Sequence, residues 1–353
     1  MCIIAGLPVF LHRACSIGLY LVFILIGAGF FMKIAIIGSG AMGSLFGGKL
    51  SLAGHEVILY DIFRAHVDAI NSVGLAIEDV ATGQTTVAHP LASDDPAAVK
   101  GADVFVVFVK STTTETAAAQ FKAFAAPHTI AITLQNGLGN EAILRTHFGD
   151  HGTAAGVTSQ AATFLGPGKI RHAGKGPTHL GMADGDNSRL EPFIAALAAA
   201  GFEAHVSKDV ASMIWSKLVV NVGINALTAL TGLQNGLLLD YEELRAIMAD
   251  VVAETVQVAK ARGVPLTHAD PLATVMDVCK KTAANKSSML QDILNKRETE
   301  IDFINGAIVR EAASLGIAVP ANLTLARLVK TLDRINLAAA AAPAGVAPKV
   351  TAR

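Results

Sequence analysis

Apolar and polar positions change rhythm twice along the chain. From residue 32 to about 207, short solid apolar runs alternate with segments of helical period. From 209 to about 336 the period is helical throughout. In the first of these stretches, residues 34–37 (I-A-I-I), Glu56–Tyr60 (E-V-I-L-Y), 102–109 (A-D-V-F-V-V-F-V) and 129–134 read as strands buried on both faces. A helical pattern through Leu45, Phe46, Leu50 and Leu52 follows the first strand. Residues 75–78 and 85–89 predict a hairpin around Thr82-Gly83, and Asp94, Asp95 and Pro96 open a short helix. The Gly-rich, alternating segments 156–164 and 169–182 predict strands and hairpins that close the same sheet. A helix over 188–200 and a short strand over 202–206 complete the pattern, which predicts an α/β fold followed by an all-helical second domain.

The turn after the first strand carries the chemistry of the first half. Gly38, Gly40 and Gly43 have the G-x-G-x-x-G spacing, placed between a strand and a helix. One glycine makes the turn, one lets the backbone approach a pyrophosphate, and one lets helix pack on strand. The turn Gly38-Ser39-Gly40-Ala41-Met42-Gly43 therefore predicts a Rossmann-type dinucleotide-binding domain, with phosphates at the helix N-terminus. Asp61 ends the second strand, 18 residues beyond Gly43. A carboxylate there accepts hydrogen bonds from the ribose 2′-OH of NAD and repels a 2′-phosphate. Arg64, three residues on, could pair with that phosphate instead, and Asp61 could be only the N-cap of a helix from Ile62. Lys110 stands at the carboxyl end of the strand over 102–109, where it can reach a cofactor or a substrate carboxylate, or else be a solvated loop residue. Asn136, between Gln135 and Gly137 at the end of the next strand, can offer an amide to nicotinamide or substrate. Gly137 and Gly139 imply a tight backbone before another helix.

In the second half, residues 209–226 are apolar almost all round, as in a buried helix. Lys217, Asn221 and Asn225 nevertheless fall on one stripe of it, at i, i+4 and i+8. Burial lowers a lysine's pKa towards the range useful for proton transfer, and two amides beside it could orient an oxygen-rich substrate. A structural lysine paired to an interface carboxylate is the alternative. Asn285 and Ser288, three apart, are expected to share a helix face, with Ser287 beside them. Glu300 sits at the edge of the apolar stripe (Ile301, Ile304, Ile308, Ala312, Leu315) of a helix expected over 300–315. By itself it reads as a solvated helix charge.

Composition narrows the classes. With 353 residues, two domains are expected. The formal net charge is -1 with no basic run, which argues against a nucleic-acid surface. Cys2, Cys15 and Cys279 form no C-x-x-C, and His172 and His179 show no metal-ligand spacing, so neither a disulfide framework nor a metal site is expected. Residues 15–31 are an uncharged apolar run after His12 and Arg13. This extension, residues 1–31, reads as a mistaken upstream start, with Met32 the true first residue; a membrane anchor and a packed helix are the alternatives. The Ala-Pro-rich residues 337–353 read as a disordered tail.

Six segments in order carry a family resemblance: G-S-G-A-M-G (38–43), V-K (109–110), Q-N-G-L-G (135–139), W-S-K-L-V-V-N-V-G-I-N-A-L-T-A (215–229), N-K-S-S-M-L-Q-D-I (285–293) and T-E-I-D-F-I-N-G (299–306). From Met32 to about Asn336 the chain resembles ketopantoate reductase (2-dehydropantoate 2-reductase). That resemblance implies a Rossmann domain over 32–207, a helical substrate domain over 208–336, and an active site in the cleft between them. It implies Lys217 as the general acid in the reduction of 2-dehydropantoate to (R)-pantoate. Glu300 would bind the substrate's hydroxyl end beside the nicotinamide. Asn221, Asn225, Asn285 and Ser288 would hold the substrate's carboxylate and hydroxyl, Asn235 would be a further substrate contact, and Asn136 would touch both ligands. Lys110 and Ala162 would line the cofactor side. The resemblance implies NADPH, yet Asp61-Ile62 stands where NADPH-using members usually place an Arg, so NADH is the alternative. Ala226 stands where a Pro is common. A reductase of another branched 2-keto acid, or a non-catalytic cofactor-binding sensor, are the competing functions. The partners expected are a small 2-keto acid and, for assembly, a second copy in a homodimer. A membrane enters only if residues 1–31 are translated and inserted; otherwise the location expected is cytoplasmic.

Overall fold

The structure is a computed structural model that describes residues 31–341. The expected start, anchor or packed helix before residue 31, and the tail from 342 onwards, lie outside the described residues. The first half is built on an eight-stranded sheet in the order β12-β11-β8-β7-β6-β1-β2-β5. Its strands are β1 (Lys33–Ile37), β2 (Glu56–Tyr60), β5 (Leu91–Ser93), β6 (Val104–Val107), β7 (Ile130–Thr133), β8 (Thr153–Thr158), β11 (Thr178–Met182) and β12 (Ala204–Val206). All neighbours run parallel except β8 and β11. Strand side chains alternate between faces, and the core divides accordingly. Ile34, Ile36, Leu59, Val104 and Val106 pack on one face against Phe46 of α1 (Ala41–Leu52) and Phe193 of α5 (Glu191–Ala199). Ala35, Ile37, Ile58, Phe105 and Val107 pack on the other against Phe121 of α3 (Thr114–Phe121) and Leu144 of α4 (Asn140–Phe148). Both faces are covered, which is why these strands read as continuous apolar runs.

Strand order reverses beside β1: β2 and β5 lie to one side, and β6, β7 and β8 to the other. A crevice therefore opens at the carboxyl ends of β1 and β6, where ligands of such sheets bind. Gly38 turns the chain there at φ +95, and a Cβ on it would lie 2.7 Å from the Val109 nitrogen beyond β6. Only glycine fits that turn.

Segments 156–164 and 169–182 do not close one sheet, as the pattern had suggested. The strands β8 and β11 join the large sheet, whereas β9 (Ala161–Gly166) and β10 (Lys169–Gly174) pair with β3 (Leu75–Asp79) and β4 (Thr85–Ala88) in a separate sheet, β4-β3-β10-β9. Residues 75–79 and 85–88 do form the expected hairpin, and β10 runs parallel to β3. The small sheet has its own reason to exist: half-buried Ala162 and Phe164 of β9 pack with Met42 and Phe108 against the large-sheet core, covering one flank of the glycine turn. The helix expected over 188–200 starts as a 3₁₀ turn, Asn187–Leu190, before α5.

The second half packs around α6 (Val210–Thr231), which continues past residue 226 to a left-handed cap at Gly232. Around it lie α7 (Glu242–Ala261), α8 (Pro271–Lys281), α9 (Ser288–Leu294), α10 (Asn305–Leu315) and α11 (Pro320–Ala341). Leu218, Val219 and Val222 of α6 meet Met248, Val251, Val275, Ile308 and Val329 of its neighbours. The helix α6 is long and apolar enough to cross a membrane, with mean hydropathy 1.4, but 61% of that window is buried inside this bundle. The helix α11 runs to Ala341, past the boundary expected at 336.

Two local expectations fail for stated reasons. Asn285 is not on a helix with Ser288: it lies in the loop before α9, whose N-cap is Ser287. No helix begins at Glu300 either. A 3₁₀ turn, Ile301–Phe303, follows it, and α10 starts only at Asn305. The Phe303 carbonyl accepts the Leu138 N–H at 2.8 Å and so is drawn out of a helical ladder towards the first domain. Gly137 permits this approach, because a Cβ there would sit 2.3 Å from that same oxygen.

Candidate active site

The glycine turn and the helix after it make one end of the site. Gly40 is the N-cap of α1, and no side chain caps the helix. A Cβ on Gly40 would meet nothing within 4 Å, so the backbone at the start of the helix faces open space there. The free N–H groups and the positive helix end fit a pyrophosphate. Gly43 packs inward instead, its would-be Cβ 2.0 Å from the Gly38 oxygen. Asp61 is tied to this turn: its Oδ2 accepts the Ser39 N–H at 2.8 Å, and its Oδ1 accepts the Phe63 N–H at 2.9 Å. It is not an N-cap, because α2 (Arg64–Val73) begins later, with Phe63 at its cap. Arg64 pairs with Asp94 at 3.7 Å. A buried chain that the pattern did not reveal supports the turn from behind. Gly168 N–H donates to His66 Nδ1, His66 Nε2 meets Ser44 Oγ, and Ser44 donates to the Ser39 carbonyl. Because Nδ1 accepts, His66 is neutral, and burial holds its pKa below the ordinary value.

The domains meet at the ends of β6 and β7. Lys110 Nζ lies 2.6 Å from Asp292 Oδ2 of α9, so it is not a solvated loop residue. The next residue, Ser111, is buried, and both its N–H and its hydroxyl lie 2.9 Å from Glu300 Oε1. Glu300 itself is only 7% exposed, not a solvated helix charge. Asn140 Nδ2 donates to Ser111 Oγ and to the Asn136 carbonyl, each at 3.1 Å. Thr114 donates to Asn140 Oδ1, and Gln135 donates to Thr114. On the far side Thr299, next to Glu300, donates to Asp333 of α11 at 2.7 Å. Glu300 is therefore held from both domains.

Lys217 projects from α6 into the cleft. A small cavity of about 30 Å³ there is lined by Asn136, Gly137, Gly156, Lys217 and Asn221, among others. Lys217 Nζ donates to the Thr158 carbonyl of β8 at 3.0 Å. Desolvation lowers its pKa from 10.5 to about 8, and the nearby Glu300 carboxylate acts in the opposite direction. No carboxylate neutralises it in a direct ion pair among the described residues. An ammonium so placed holds its proton at neutral pH and parts with it readily.

The expected residues thus fall into two groups along α6. Asn136, Lys217 and Asn221 line one cavity, with Glu300 joined to Asn136 through Ser111. Asn225 lies two turns on, about 12 Å along the axis from Lys217, and is buried. Near it, Asn235 donates its N–H to the Asn285 carbonyl at 2.9 Å and its amide to Thr282, and exposed Ser288 opens α9. Ser111, Asn140 and Asp292 had not been singled out. Ser111 and Asn140 follow buried strands, the position that drew attention to Lys110 and Asn136. Asp292 gave no local signal, being one acid in a short helix.

Known proteins share this fold. Residues 34–185 match the family described as ketopantoate reductase PanE/ApbA, and residues 209–333 match its C-terminal domain. A 2-dehydropantoate 2-reductase of Halobacterium salinarum is 36% identical over 304 residues, covering 86% of this chain and 99% of that protein. The enzyme of the same name from Pyrococcus horikoshii is 33% identical over 308 residues, with 86% and 99% covered. Among solved structures, a PanE/ApbA family ketopantoate reductase from Ralstonia eutropha superposes with a TM-score of 0.80 at 38% identity, covering 86% and 99% of the two chains. D-mandelate dehydrogenase, solved with NADH and anilino(oxo)acetate, superposes with a TM-score of 0.79 at 29% identity and the same coverage.

Proposed function

The chain belongs to the ketopantoate reductase family, and we propose that it reduces 2-dehydropantoate to (R)-pantoate in coenzyme A precursor synthesis. A reduced nicotinamide bound at the glycine turn would supply a hydride to the C2 carbonyl carbon. Gly38, Ser39, Gly40, Ala41, Met42 and Gly43 would hold its phosphates, and Lys110, Asn136 and Ala162 would line the way to the cleft. The single observation that carries the reading is Lys217, a desolvated ammonium at the edge of that cleft with a pKa near 8. It stabilises charge gathering on the ketone oxygen and then gives that oxygen its proton. Asn221, one turn away, orients the same oxygen-rich end. Glu300 spends Oε1 on Ser111, which leaves Oε2 to accept the substrate hydroxyl. Asn225, Asn235, Asn285 and Ser288, all on the helical half that carries Lys217, act at the far end of the substrate. All these residues come from one chain, so the chemistry does not require a homodimer. A cytoplasmic location suits the supply of reduced nicotinamide.

For the cofactor, we assign NADH as preferred over NADPH. Asp61 is fixed at the end of β2, where the ribose 2′-OH falls and a 2′-phosphate would be repelled. Arg64, the cation nearest in sequence, is engaged with Asp94. The family resemblance favours NADPH, and kinetics against both decide. The deciding experiment is steady-state turnover of the full chain with 2-dehydropantoate and each cofactor. The likeness to D-mandelate dehydrogenase supports a second reading, a reductase of another 2-keto acid. A higher kcat/KM on such an acid would establish it. Cofactor binding with no turnover on any keto acid would make the protein a sensor.

A further inference from the structure

We infer that Ser111 is a positioning residue that presets Glu300 for the substrate from the opposite domain. The inference rests on the functional reading above for Glu300, but its geometry stands alone. Ser111 is 1% exposed and opens a 3₁₀ turn a few residues beyond the end of β6, next to Lys110. Both of its donors converge on one oxygen: the N–H and the hydroxyl each lie 2.9 Å from Glu300 Oε1. The hydroxyl could also turn to the Asn136 carbonyl at 3.2 Å. That carbonyl already accepts from Asn140, and Asn140 donates to Ser111 Oγ as well. The Ser111 oxygen accepts from Asn140, and the residue has one hydroxyl proton to place. The shorter, charge-assisted bond to Glu300 takes it.

The consequence is orientation. Two donors on Oε1 fix the carboxylate's rotation and leave Oε2 without a hydrogen-bond donor among the described residues. The other charged groups around Glu300 are Lys217 on α6 and the pair Asp292–Lys110, in which Asp292 feels Glu300 as a like charge. Ser111 is the neutral member of this set, and it is carried by the strand end that also carries Lys110. Any displacement of that segment as the cofactor seats is thereby transmitted to the Glu300 carboxylate.

Ser111→Ala removes the hydroxyl and keeps the N–H. The first readout is the carboxylate stretching band of Glu300, taken as the infrared difference between each protein and its Glu300→Gln counterpart, without substrate. Losing one of the two donors on Oε1 is expected to shift the antisymmetric band to higher frequency and to broaden it. Kinetically, kcat/KM on the keto acid falls about tenfold, as for the loss of one hydrogen bond to a charged group. The NADH dissociation constant stays within about twofold. Ser111→Thr restores the wild-type band and rate, and Thr113→Ala in the same turn changes neither readout. If Ser111→Ala does not fold, Ser111→Cys, with its weaker donor, gives the same band shift at smaller size. An unmoved Glu300 band in either folded variant overturns the inference. Failure of the substrate reading would look different: wild-type protein idle on 2-dehydropantoate, with the band shift intact.

Discussion

Lys110 Nζ lies 2.6 Å from Asp292 Oδ2, joining the end of β6 in the nucleotide domain to α9 in the helical one. The two ends are unequally wet, with the lysine side chain 39% exposed and the aspartate 9%. Removing the lysine strands a desolvated carboxylate; removing the carboxylate frees a lysine that water can serve. Asp292→Asn should therefore cost only about 1 kcal/mol, and Lys110→Met more. A double-mutant cycle by thermal denaturation measures the coupling. Additive effects of the two substitutions would deny the pair a role in holding the domains together.

Lys217 sets the alkaline limit of activity. As proton donor it must be charged, and its pKa is about 8. The rate on a 2-keto acid should fall as pH rises through about 8, and Lys217→Ala should lose about 10²- to 10⁴-fold in kcat. A pH-rate profile flat from 7 to 10, or near-wild-type turnover of the variant, would remove Lys217 from the chemistry.

The same lysine should weaken the fold. Its folded pKa lies below its unfolded value of 10.5, so the unfolded chain binds the proton more tightly between about 8 and 10.5. Stability then rises with pH across that window, and below 8 the full cost is present, at most about 3 kcal/mol after allowing for solvent at the cleft. Lys217→Met should be inactive yet more stable than wild type at pH 7, with the gap narrowing by pH 10.5. Calorimetry at the two pH values checks this; a constant gap would mean that Lys217 is not desolvated in the folded protein.

These lysine predictions show which parts of the molecule local pattern could reveal. The buried strands, the glycine turn and the Lys217–Asn221–Asn225 stripe were all legible, because each is a regularity within one element. The burial of Glu300 is not legible in its local pattern, because the expected helix is broken by a contact with Leu138, more than 160 residues away in the chain. The pairing of β10 with β3 was hidden for the same reason: both read correctly as strands, but the partner of a strand is a tertiary fact. Ser111 and Asp292 look like ordinary loop and helix residues until the two domains are put together.

Cofactor choice should turn on Asp61. Asp61→Ser removes the charge that repels a 2′-phosphate, but it also takes an acceptor from the Ser39 N–H. Affinity for both cofactors should fall, and NADH should lose more. The measurement is therefore the ratio of kcat/KM for NADH to that for NADPH, expected to drop at least about tenfold, since losing one charge contact shifts discrimination by about 1.4 kcal/mol or more. An unchanged ratio would place the 2′ position away from Asp61.

Two glycines of one turn should respond in opposite ways to the same methyl group. At Gly38 an alanine is forced into φ +95 with its Cβ 2.7 Å from the Val109 backbone. Strain alone costs about 1–2 kcal/mol, and the collision adds to it, so Gly38→Ala should lower the melting temperature whether or not cofactor is present. At Gly40 the backbone has φ -61 and ψ -161, open to any residue, and nothing stands within 4 Å. Gly40→Ala should fold with stability within about 0.5 kcal/mol of wild type, since the weaker N-cap is offset by a less flexible unfolded chain. Its methyl group would occupy the space a pyrophosphate needs, so NADH affinity should fall at least about tenfold, read by nicotinamide fluorescence. Normal NADH binding by Gly40→Ala would mean that the phosphates do not pass over this turn.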